Sequence, residues 1–252
     1  MRGVASNDFV TVIMSLIGVL LTVISALALG AVAGERSYRV QWVGEQRRVV
    51  HEGNLAGQIS LETLIKLPHL YALGPMEGLK GEVSIFDGLP FITRIQDRRI
   101  VVDRSFHYKA CFLVYAQVDR WHKLSVPQNV RTVKEVEQFV WQAAAVSLDT
   151  SKPFPFLLKG KAALVQYHIV NKTDGLPHNP DQHEKVKYRF ALKDQAVEMV
   201  GFCSDKHRGV FTPPNSKIHM HVRTLDGTAG GHVDDLQLNR GMTLFLPVSD
   251  GK

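Results

Sequence analysis

The stretch Lys217-Ile218-His219-Met220-His221-Val222-Arg223 alternates strictly between polar and apolar side chains, and that period of two commits it to a β-strand. Ile218, Met220 and Val222 fall on one face, suited to packing on a core. Lys217, His219, His221 and Arg223 fall on the other, facing a cavity or solvent. Asp226-Gly227 reads as the two-residue turn of a hairpin, which pairs 225 with 228, 223 with 230 and 221 with 232. His232 then stands opposite His221 on the same face, with His219 next along. Cross-strand Cβ atoms lie about 4.5–5.5 Å apart, which suits three imidazoles converging on one ion about 2.0–2.1 Å from each nitrogen. Gly230 and Gly231 leave the approach to that face uncrowded. Three neutral imidazoles with an open fourth position describe a catalytic zinc site rather than a closed structural one. A cupin would place a Glu a few residues after His-x-His, where this chain has Asp226 in the turn. The remaining histidines, His168 and His183 among them, show no ligand spacing and read as surface or core residues.

The chain has 252 residues, enough for one large domain or two small ones. Its 45% hydrophobic and 21% charged content is that of a folded chain rather than a disordered one. The net charge of +6 comes from Lys and Arg scattered among acids. That pattern, with no nucleic-acid motif, points to small anions as partners and away from nucleic acid. Cys111 and Cys203 each lie in apolar sequence and read as two buried thiols, with one disulfide left open if the domain is exported.

Residues 9–33 are almost uninterrupted apolar sequence without charge. About 25 residues at 1.5 Å each can cross a hydrocarbon core of about 30 Å. The run ends in Ala31-Val32-Ala33-Gly34, a small-x-small pattern of the kind signal peptidase cuts. Residues 1–33 are therefore expected to be a signal peptide or an N-terminal membrane anchor. The remainder is expected outside the cytoplasm, secreted or anchored, with membrane contact only through that segment.

Beyond residue 34 the pattern becomes short segments with turn signals. Ser60 is expected to cap a short helix over 61–67 that Pro68 stops. Two strand-like runs around Asp87-Gly88, 81–86 and 89–95, make a hairpin signal. Thr132-Val133-Lys134-Glu135 is a capping box, so a helix should follow to about 145. Segments 100–102, 110–118, 162–170, 187–192, 196–202, 217–224, 232–238 and 242–247 read mostly as strands. The expected fold is α+β, with two lobes of mixed or antiparallel β-sheet and a few helices. Residues 34–150 would form an N-terminal α/β lobe and 151–252 a β-rich lobe, with the metal hairpin between them.

His219-Met220-His221, followed by Gly230-Gly231-His232-Val233 and Asp235, resembles the alpha-acetolactate decarboxylase family. Gly81-Glu82-Val83-Ser84-Ile85-Phe86-Asp87-Gly88, preceded by Leu73-Gly74, resembles the family's Asp-Gly-Glu strand and its turn. Val200-Gly201-Phe202 resembles the strand leading to the metal hairpin. The resemblance implies a zinc ion on His219, His221 and His232, Glu82 as the carboxylate near it, and two α/β lobes. It also implies conversion of acetolactate to acetoin and carbon dioxide, frequent secretion and a homodimer.

That chemistry needs no organic cofactor. Acetolactate is a 2-hydroxy-3-oxo acid, and the ketone can accept the electrons left by carbon dioxide. A Lewis acid stabilises the developing charge, and Glu82 is the candidate general acid that protonates the new carbanion centre. The family's active-site Arg, in an Arg-Ser/Thr-Val-Pro segment, has no match around 173–188, and its second Glu, in a C-terminal extension, has no counterpart before Lys252. Arg223 and Lys217 share the histidine face by alternation and are the candidates to hold the substrate carboxylate. Two other readings stay open: a non-catalytic or divergent metal-binding protein on this scaffold, and a three-histidine zinc hydrolase or hydratase.

Overall fold

The structure, a computed structural model, describes residues 38–248. The signal or anchor segment expected over 1–33 lies outside the described residues. The first strands in chain order are β1 (Gln41–Val43), β2 (Ile59–Ser60), β3 (Leu70–Pro75), β4 (Glu82–Phe86), β5 (Leu89–Gln96), β6 (Arg99–Asp103), β7 (Lys109–Ala110) and β8 (Leu113–Gln117). Then come β9 (Trp121–Ser125), β10 (Phe154–Val170), β11 (Lys187–Cys203), β12 (Ile218–Thr224), β13 (Gly230–Leu238) and β14 (Thr243–Pro247). The helices are α1 (Gln46–Glu52), α2 (Val133–Ser147) and α3 (Pro180–Lys185), with short 3-10 turns elsewhere.

Two six-stranded sheets carry the molecule, in the orders β1-β8-β3-β4-β5-β6 and β11-β12-β13-β10-β14-β9. All pairings between these strands are antiparallel. The fold is thus mainly antiparallel β with few helices: of the mixed or antiparallel sheet expected, it is the antiparallel form, and the helical share is smaller than an α+β fold implies. With no parallel pair among the described strands there is no βαβ crossover between them, so helices are not needed to cover both faces of a sheet. β10 also pairs with β11, which closes β10, β11, β12 and β13 into a ring and leaves the histidine strands without a free edge.

Alternation assigns each strand face to a core. Val83, Ile85, Leu113 and Ile92 pack with Leu61 and Leu64 on the outer side of the first sheet. Leu73, Phe86, Phe91 and Val114 face Leu157, Val200 and Phe202 of the second sheet. On that sheet's other side, Val165, Tyr167, Met199, Met220 and Val222 pack with Val136, Val140 and Ala144 of α2. Burying a large apolar side chain contributes about 1.5–3 kcal/mol, so the layer between the sheets holds them firmly together. The face that carries His219 and His221 points into that layer.

The local signals resolve unevenly. Thr132 caps α2 with a full capping box, as the sequence indicates. β4 and β5 close on Asp87 and Gly88, both with positive φ, as the Asp-Gly signal requires. Ser60 makes no side-chain cap and is followed only by a four-residue 3-10 turn. Instead its carbonyl accepts from Thr63 Oγ1 at 2.7 Å. The segments 187–192 and 196–202 are one strand, β11, because β10 supplies it a continuous partner from Val170 back to Phe154.

Candidate metal centre

β12 and β13 pair as His221 with His232 and Arg223 with Gly230, the register read from the sequence. The turn is longer than two residues: Thr224 N–H donates to the Ala229 carbonyl at 2.9 Å, and the loop 225–228 hangs between them. The register survives because the extra residues are added symmetrically about Asp226-Gly227. Gly230 and Gly231 serve a different end from the one expected. A Cβ at Gly231 would lie 2.4 Å from the His168 carbonyl oxygen, and one at Gly230 would lie 2.2 Å from that of Val222. They let neighbouring backbones close up; they do not clear space in front of the histidines.

His219, His221 and His232 come together, each offering a ring nitrogen within 4.8 Å of the others. The Nδ1–H of His219 donates to the Phe211 carbonyl at 2.8 Å. A carbonyl can only accept, so Nε2 of that ring carries the lone pair. That nitrogen lies 2.9 Å from Nδ1 of His232. His221 holds Nδ1 3.0 Å from Ser84 Oγ on β4, while its Nε2 is buried with no hydrogen-bond partner among the described residues. A buried, unpartnered ring nitrogen is costly in a protein interior. A cation facing these rings would remove that cost, so the donor set fits a divalent metal.

Burial dominates the protonation of the three rings. It pulls His219 down to about 4. It also holds His221 and His232 well below the ordinary histidine range, reinforced by repulsion from neighbouring imidazoles. All three are therefore neutral near pH 7, the form that ligates metal.

Glu82 stands beside them. Its side chain is 3% exposed and its Oε2 lies 3.8 Å from His221 Nε2. Oε1 accepts the Val170 N–H at 3.2 Å. Burial raises its pKa well above the usual carboxylate range, against the opposing pull of that hydrogen bond and of Lys187. A bound divalent cation would add a second opposing pull, favouring the carboxylate.

The other two site candidates go elsewhere. Arg223 lies directly across from Glu198 in the β11–β12 register. It donates to that carboxylate at 2.5 and 3.0 Å, with its guanidinium 4.1 Å above the Phe86 ring. Lys217 sits 4.1 Å over the Trp141 ring and 3.5 Å from Asp205. Neither lines the cleft in front of the histidines. Alternation puts Arg223 on the right face but cannot show that a cross-strand acid neutralises it.

The cleft has about 400 Å³ of open space and is lined by Glu82, His168, Val170, His183, Lys187, His219 and His232, with Gln46 and Val49 of α1 on one side. His168 lines the same cleft and is a neighbour that spacing alone did not single out. Its Nδ1 lies 2.7 Å from Asp234 Oδ1, and its ring centroid 4.6 Å from that of His232. The β10–β13 register slips by one between Gln166 and Tyr167. That bulge turns Asp234 toward His168, as bulges re-aim side chains near sites. Asp235, the acid in the sequence motif, instead caps the N–H of Leu236. His168, His232 and Asp234 form a second cluster with metal-ligating atoms within 4.8 Å. The alternation of Val165, Tyr167 and Ile169 toward α2 was the available signal that His168 faces the other way. Cys111 and Cys203 are free buried thiols, pushed up to about 12 and to a still higher value by burial.

A family model described as alpha-acetolactate decarboxylase matches residues 47–250. No curated protein matches the sequence. Among solved structures, a Staphylococcus aureus protein of unknown function, described as similar to alpha-acetolactate decarboxylase, superposes with a TM-score of 0.68 at 14% identity. That match covers 84% of this chain and 86% of the other. Alpha-acetolactate decarboxylase from Bacillus subtilis strain 168 gives 0.67 at 17% identity, covering 84% and 89%. Acetolactate decarboxylase from Bacillus subtilis subspecies spizizenii gives 0.66 at 19%, covering 82% and 85%. At these identities the structural likeness is one of fold.

Proposed function

The chain belongs to the alpha-acetolactate decarboxylase family, and on that premise we propose that it is a zinc-dependent decarboxylase converting acetolactate to acetoin and carbon dioxide. The observation that carries this reading is the placement of a buried carboxyl, Glu82, 3.8 Å from the unpartnered Nε2 of His221. When bound on His219, His221 and His232, a divalent cation supplies a Lewis acid for substrate oxygens that gain negative charge.

The protein's own groups do the rest. In the reaction the bond to the carboxylate carbon breaks, carbon dioxide leaves, and the electron pair passes toward the neighbouring ketone. A proton must then reach the carbon that lost the carboxylate. Burial favours the neutral acid form of Glu82, the form that can deliver it. The Val170 N–H fixes Oε1 and leaves Oε2 on the histidine side. The apolar walls from Val49 and Phe112 limit water in the cleft, which strengthens each electrostatic contact inside it.

The test uses the purified full-length protein loaded with zinc and given acetolactate. Acetoin should form at about 1–1000 per second per site, with one carbon dioxide for each acetoin. A protein that holds its metal but yields no acetoin above the buffer rate would overturn the decarboxylase reading. That outcome would favour a non-catalytic metal-binding role.

A further inference from the structure

We infer that Lys187 forms a carboxylate-binding subsite on the wall of this cleft, so that the ligand is a small organic acid held with its carboxylate against the Lys187 ammonium. The inference rests on the reading of the cleft as the substrate site. Among the described residues, Lys187 is the only Lys or Arg that lines it. The other titratable groups that line it are Glu82, His168, His183, His219 and His232. A Lys side chain only 15% exposed, on the wall of a cleft that no second Lys or Arg among the described residues lines, is a natural receptor for an anion.

Placement supports this. Lys187 lies across from Val170 in the β10–β11 pair, and Val170 is the residue whose N–H holds Glu82. A carboxylate anchored there would therefore sit beside the proposed proton donor.

The present partner of Lys187 is Glu184 at the end of α3, whose side chain is 58% exposed. Glu184 also pairs with Arg189 at 2.7 Å. Solvent around the exposed Glu184 carboxylate weakens its pair with Lys187, and Arg189 can keep Glu184 when Lys187 turns to a ligand. The two cations expected to hold the substrate, Arg223 and Lys217, are occupied with Glu198 and with Trp141 and Asp205.

The experiment measures binding of 2-hydroxy-2-methylbutanoate, an unreactive hydroxy acid, to the zinc-loaded full-length protein by calorimetry. Its neutral counterpart, 2-methylbutane-1,2-diol, is the control. Lys187→Met should weaken the acid by about 10- to 100-fold and leave diol binding and zinc content as in the wild type. Glu184→Gln should tighten the acid, because it frees Lys187. Acid binding unchanged in Lys187→Met, no acid binding in the wild type, or equal loss of acid and diol would each overturn the subsite. Lys187-dependent acid binding in a protein that makes no acetoin would leave the subsite standing and remove the decarboxylase reading. Turnover with Lys187-independent acid binding would do the reverse.

Discussion

Glu82→Gln should lower acetolactate turnover by about 100- to 10,000-fold, the span that a positioned proton donor contributes, while the zinc content stays at the wild-type level. Gln keeps the length of Glu and its carbonyl can still accept the Val170 N–H, so the β4 strand and the adjacent histidines have no cause to move. What the variant lacks is a transferable proton. The pH profile gives a second readout. Burial raises the pKa of Glu82 above the ordinary range, so the wild type should lose activity on the alkaline side as that carboxyl ionises. A bound cation places this limb lower than burial alone would. The residual activity of Glu82→Gln should lack the limb. Steady-state kinetics with metal analysis decides the matter, and wild-type kcat in the variant would remove Glu82 as the proton donor.

The second large effect is expected at His221. This ring is fully buried, held by Ser84 on one nitrogen and unpartnered on the other. Replacing it by Ala removes one of the three proposed ligands. Structural zinc binds with about 10–16 kcal/mol, and a ligand's share of that is worth about 100-fold to several thousand-fold in affinity. His221→Ala should therefore come off a metal-buffered column without zinc and without acetoin-forming activity. His183→Gln is the matched control. His183 lines the same cleft but belongs to neither histidine cluster, so this variant should keep its metal. Equal zinc in His221→Ala and the wild type, titrated against a chelator of known affinity, would show that the ion is held elsewhere.

Much of the site was legible because β-structure has a simple code. Parity alone put His219 and His221 on one face of β12, and the Asp-Gly centre of the turn put His232 opposite His221. The same logic found the β4–β5 hairpin that carries Glu82. What alternation cannot read is partnership between distant strands. Arg223 has the right parity, yet Glu198 lies across from it and takes its charge. Lys187 reaches the cleft only because β11 pairs with β10 along its whole length. His168 acquires Asp234 through a one-residue bulge, and a bulge leaves no reliable mark in a sequence. The choice between mixed and antiparallel sheet stayed open in the sequence, since strand direction depends on connections rather than on composition.

Convergence of three neutral imidazoles on one divalent ion is the central claim, and X-ray absorption at the metal edge of the zinc-loaded full-length protein tests it most directly. One ion per chain, with three imidazole nitrogens at about 2.0–2.1 Å and the remaining position filled by oxygen, is the expected spectrum. A first shell with fewer than three imidazoles, or a chain that takes up no ion at all, would contradict it.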